Sequence, residues 1–181
     1  MIINPYKDIW FRPKLIFENL GQDLAHSFFK LPIILIGCSF GLDASTRLDS
    51  ISDYQIVRIL ISAPICIGMC LLIFGLIYPW TIRLFGRIWN GESTKIQMMN
   101  VVSISSIPFG FFLIPQSIHL VLGQSPTIDA INPGLRYLIQ IWSFSLIIIG
   151  VARVQKFSYG MALLNILLSY LPILILALLR S

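Results

Sequence analysis

The chain has 181 residues, of which 56% are hydrophobic and 12% charged, with a mean hydropathy of +0.83. Soluble domains carry about 25% charged residues; half that density cannot cover a protein this small with a water-facing surface, so lipid must cover part of it. The net charge of +5 is scattered over 13 Lys and Arg residues without a basic run, which argues against a nucleic-acid partner.

The first 25 residues hold Asn4, Pro5, Asp8, Pro13, Glu18 and Asp23 and no continuous apolar region. Insertion is therefore expected to rely on the first spanning helix rather than on a cleavable leader. Residues 1–12 read as an extended, turn-rich lead, because Asn4-Pro5 favours a turn, and Pro13 can open a helix at its first position. From there Ile16, Phe17, Leu20, Leu24 and Phe28 recur at helical spacing, with Lys14, Glu18, Asn19, Gln22 and Asp23 opposite them. That pattern predicts an amphipathic helix lying in the headgroup region or packed as a cytosolic cap on the bundle.

Five apolar stretches free of acidic residues follow, at about 28–42, 56–85, 98–122, 135–151 and 161–179. In hydrocarbon a backbone must satisfy its own hydrogen bonds, so each is expected to cross the bilayer as a helix. The first is short and needs Lys30 to snorkel toward the headgroups. In the second, Pro64 and Pro79 are expected to kink the helix, while Gly68 and Gly75 offer faces for close approach. Pro108 and Pro115 fall inside the third and Pro172 inside the fifth. The intervening segments 43–55, 86–97, 123–134 and 153–160 are short, so sequential helices should lie side by side and antiparallel. The fold class is an all-α membrane protein, organised as a cytoplasmic arm and interfacial helix over 1–27 and a five-helix transmembrane domain over 28–181.

Charge counting orients it. With the N-terminus inside, Lys7, Arg12, Lys14, Lys30, Arg83, Arg87, Lys95, Arg153 and Lys156 fall on the cytoplasmic side, and Arg47, Arg58, Arg136 and Arg180 on the other. The excess of basic residues inside favours a cytoplasmic N-terminus and an outer C-terminus.

Catalytic chemistry is hard to place. All eight acidic residues lie outside the expected spans, whereas proton-coupled carriers place carboxylates at mid-membrane. His26 and His119 have no ligand partners at metal spacing, and nothing resembles a phosphate-binding loop or a nucleophile elbow. Cys66 and Cys70 share a helix face, and with Cys38 they read as packing residues inside apolar stretches. No enzyme activity, cofactor or metal is expected. The intramembrane polar residues Ser103, Ser106, Gln116, Gln140 and Asn165 read either as interhelical hydrogen-bonding groups or as the lining of a polar cleft between the third, fourth and fifth spans. The second reading makes the protein a passive channel or permease for a small solute.

Three segments carry a resemblance. The opening Asn4-Pro5-Tyr6-Lys7-Asp8-Ile9-Trp10 with Arg12-Pro13-Lys14 resembles the start of the Yip domain family, polytopic proteins named for interaction with Ypt/Rab GTPases. The stretch from Gly91 to Val102 with Ser105, Ser106 and Pro108 is similar to that family's entry into a proline-bearing third helix. Val154 to Ala162, with Lys156 and Ser158, is similar to the hairpin before its last helix. The resemblance implies five spans with a cytosolic N-terminus. The short arm points to a bacterial inner-membrane relative, and Lys14 stands where the family pattern has arginine. The clustered arm, the basic short loops and the missing catalytic constellation point to a non-enzymatic protein that acts through membrane organisation, lipid contact or protein–protein interaction. The bilayer, a second copy or another membrane protein are then the expected partners. Asn4, Pro5, Trp10, Arg12, Pro13, Lys14, Pro108, Lys156 and Ser158 are its candidate motif and interface residues.

Overall fold

A computed structural model describes residues 4–20, 30–46, 54–114, 117 and 126–171, with no side-chain description at 112 and 126–132. The described residues form helices and turns, with no strand. Leu24, Phe28, Pro115, Gln116, His26, His119 and Pro172 lie outside them.

The opening is helical, not extended. Helix α1 spans Pro5–Phe11 and α2 spans Pro13–Asn19. Asn4 caps α1: its Oδ1 accepts from the Tyr6 N–H at 3.1 Å, while Asp8 Oδ2 accepts from the Asn4 N–H at 2.9 Å. Pro5 supplies the preset φ of a first helical position. Asn-Pro thus starts a helix where a turn was expected, because the cap satisfies donors that a turn would leave to water. Pro13 opens α2 in the same way, and Ile16, Phe17 and Leu20 are buried on one face.

Helix α3 (Leu31–Ser45) starts three residues beyond the expected boundary, with Lys30 exposed at its N-cap. Helix α4 (Gln55–Leu72), a π-turn (Ile73–Ile77) and α5 (Tyr78–Ile88) run on as one rod of 34 residues. The π-turn has a local cause. Pro79 has no N–H to give and its ring crowds the preceding turn; widening that turn lets the Tyr78 N–H reach the Ile73 carbonyl instead.

Helix α6 (Lys95–Ser105) begins with a capping box: Gln97 N–H donates to Thr94 Oγ1 at 3.2 Å and Thr94 N–H donates to Gln97 Oε1 at 2.8 Å. Pro108 ends its α geometry, and Ile107–Phe112 continues as a 3-10 segment. Helix α7 (Pro126–Gln155) begins well before the expected 135 and passes through Pro133. The segment 123–134, read as a loop from Pro126, Asp129 and Pro133, is therefore helical from 126 onward. Helix α8 (Tyr159–Ser169) is capped by Ser158, whose Oγ accepts from the Met161 N–H at 3.3 Å.

Two helix ends close in the same manner. The Gly91 N–H bonds back to the Gly86 carbonyl at 2.9 Å and the Phe157 N–H to the Ala152 carbonyl at 2.8 Å. In each motif one residue must take a left-handed backbone, here Asn90 at φ 60° and Lys156 at φ 59°.

Packing divides in two. α3 lies antiparallel on α4, because Gly37 faces Ile67 while Gly41 faces Ala63. A Cβ at either glycine would stand 2.5 Å from the opposing Cα, so only glycine permits this separation. The Ser62 hydroxyl seals the contact by donating to the Gly41 carbonyl at 2.8 Å. Gly75 is buried as expected of a close-approach face, but an added Cβ at Gly68 would meet nothing within 4 Å. The main core gathers the other elements: Ile9, Phe17 and Leu20 of the arm, Ile82 of α5, Met98 and Val101 of α6, Leu146 and Val151 of α7, and Ile166 of α8.

Candidate functional site

The arm is seated on the bundle by its buried face. Phe17 and Val101 both crowd onto Gly150 of α7, where a Cβ would come within 2.6 Å of Val101 and 2.9 Å of Phe17. Arg153 and Glu18 form an ion pair at 3.3 Å that fixes the end of α2 to the end of α7. Trp10 meets Phe111 edge-to-face with centroids 5.2 Å apart. α2 thus lies against the C-terminal part of α7, while α1 packs on α2 and α6. Lys7, Arg12 and Lys14 are exposed on the arm's outer side and form no ion pair among the described residues.

Behind the loops at that end lies a buried polar knot. Asn165 Nδ2 donates to the Ile82 carbonyl at 3.1 Å and to Gln155 Oε1 at 2.8 Å. Gln155 Nε2 reaches Ser93 Oγ at 3.3 Å and, weakly, the Ile82 carbonyl at 3.4 Å. Arg83 Nε donates to the Ser93 carbonyl at 3.1 Å, and outside the knot Lys156 pairs with Glu92. Gly86 makes room: a Cβ there would collide with the Gln155 amide. Four elements are tied by groups that otherwise would be buried without partners.

Beside Trp10 an apolar groove of about 430 Å³ opens sideways. Trp10, Phe111 and Ile114 form one wall and Leu135, Leu138, Ile139 and Trp142 of α7 the other. The indole N–H of Trp142 is buried and finds no acceptor.

The remaining candidates are dispersed. Asn4, Pro5, Pro13 and Ser158 are capping or first-turn residues, and Pro108 is buried in the 3-10 segment. Ser103 and Ser106 are buried on α6 and just beyond it, with the Ser106 hydroxyl donating to the Val102 carbonyl at 2.7 Å. Gln140 is exposed on α7, and Gln116 lies outside the described residues. Asn165 is drawn into the knot with Gln155, Ser93 and Gly86, none of which stood out in the sequence. Gln155 had a readable signal, since it falls one helical turn beyond the buried Val151. Among the described residues no three His, Cys, Asp or Glu side chains stand together as metal ligands.

Among the described residues, which form helices and turns, two helices are long and apolar enough to cross a bilayer, Gln55–Ile88 and Pro133–Gln155, with shorter apolar ones beside them, as in a membrane protein. The family model of the Yip1 domain matches residues 7–180, nearly the whole chain, and the chain belongs to that family. Comparison with curated proteins gives no match, and neither does comparison with solved structures.

Proposed function

We propose that the protein is a non-enzymatic, five-span member of the Yip family. It organises membrane through its arm, which lies at the cytoplasmic headgroups. The observation that carries this is the arm's division of labour. Ile9, Ile16, Phe17 and Leu20 are wholly or almost wholly buried in the bundle, while Lys7, Arg12 and Lys14 face outward without ion pairs among the described residues. Such charges are costly in hydrocarbon and favourable beside anionic headgroups. The arm therefore marks the level of the headgroup layer.

Helix lengths fit that level. At 1.5 Å per residue the 34-residue rod is about 51 Å long and α7 about 45 Å, against a hydrocarbon core of about 30 Å. Each has an excess, and Arg83, Arg87 and Arg153 sit at the ends that share the polar knot and the arm. This end is the cytoplasmic one, in a bacterial inner membrane, with the C-terminus outside. The partners are the bilayer itself and a second copy or another membrane protein.

A spin label at Arg12→Cys in the reconstituted full chain tests the reading. Its depth is expected at the phosphate level of the bilayer. A label free in bulk water, or deep among acyl chains, overturns it.

A further inference from the structure

We infer that the groove beside Trp10 is a binding site for one anionic phospholipid, with an acyl chain along α7 and the phosphate among the basic residues of the arm. The inference rests on the interfacial placement of the arm and deepens it. Leu135, Leu138, Ile139 and Trp142 recur at the spacing of a single helix face, so this wall runs about 10 Å along the α7 axis. Trp142 belongs to the end of that wall nearer the Glu18–Arg153 pair and Leu135 to the far end, with Trp10 on the facing wall. A chain entering at the tryptophans runs inward toward Leu135 and Ile114.

The groove offers that chain almost wholly apolar walls. The headgroup end offers charge: Lys7 stands one helical turn before Trp10 on α1, and Arg12 and Lys14 follow it. None of the three is in an ion pair among the described residues, so a phosphate meets positive charge that is not already neutralised. A neutral lipid could fill the groove, but only an anionic one answers both the groove and the arm.

The test uses the full chain in nanodiscs of phosphatidylcholine, titrated with phosphatidylglycerol whose acyl chains carry bromine, a contact quencher of tryptophan. Trp80→Phe and Trp89→Phe leave Trp10 and Trp142 as the reporters. Quenching is expected to saturate at a low mole fraction, with brominated phosphatidylcholine needing at least about tenfold more for the same effect. Replacing Lys7, Arg12 and Lys14 together by glutamine should move the phosphatidylglycerol curve onto the phosphatidylcholine one. Coincident curves in the unmodified arm, or no quenching by either lipid, overturn the site. If the curves coincide while the Arg12 label sits at phosphate depth, the interfacial arm stands and the lipid site alone falls. If the label lies elsewhere, the placement beneath it falls as well.

Discussion

Gly86 shows how one missing carbon can hold several elements together. Its absent side chain leaves the space in which the Gln155 amide joins Ser93, Asn165 and the Ile82 carbonyl. Gly86→Ala should cost about 1–3 kcal/mol, because the amide must leave groups that remain buried. Thermal unfolding in detergent measures this. In a Gln155→Ala background, which removes the colliding amide, the same substitution should cost much less; an equal cost in both backgrounds would refute the contact. The knot was only partly legible beforehand. Asn165 drew attention as a polar residue in an apolar stretch. Gln155 falls in helical register with Val151, yet beside a loop that register alone does not name its partners. Ser93 and Gly86 come from another loop and helix, and only tertiary contact brings them to it. The Asn4-Pro5 pair was ambiguous for a different reason: the same two residues can open a turn or cap a helix, and the choice depends on whether the next turn finds something to bury against, as Ile9 does.

At the scale of the element, long apolar stretches were the most readable part. The segment expected over 56–85 is one rod over 55–88, and its prolines are absorbed by a widened turn and by a helix that tolerates Pro64. Which glycines matter was not readable from that stretch alone. The pairing face of α4 is defined by what α3 presents, and α3 presents Gly37 and Gly41. The four-residue spacing of those two glycines, with Ser45 a further four on, is the sequence signature of such contact. Gly41→Ala should therefore destabilise by about 1–3 kcal/mol, since the new carbon faces backbone that cannot rotate away. Gly68→Ala meets open space and should be neutral or raise stability by up to about 1 kcal/mol through helix propensity. Denaturant melts of both variants in one detergent check the contrast, and equal losses would refute the assigned face. Pro133 illustrates the opposite limit. Proline beside glycine reads as a loop, yet a chain in lipid has strong reason to keep its backbone helical.

For the whole molecule, lipid accounts for what would be a liability in water. The rod presents Ile56, Leu60, Ile65, Met69, Leu72 and Trp80 outward, while Ile82, Arg83 and Gly86 at one end take part in the knot. Composition made the membrane legible at once; it could not show that the arm is built into the core, because its four anchoring side chains find their partners on α6 and α7, some 80 to 140 residues away. The most direct measurement is cysteine accessibility in sealed, uniformly oriented vesicles, with Cys38, Cys66 and Cys70 replaced by alanine. A membrane-impermeant maleimide should modify Arg12→Cys and Arg87→Cys from one side and Thr46→Cys only from the other. Modification of Arg12→Cys and Arg87→Cys from opposite sides, or of Thr46→Cys from the same side as both, would contradict a spanning bundle whose arm and basic loops share one face.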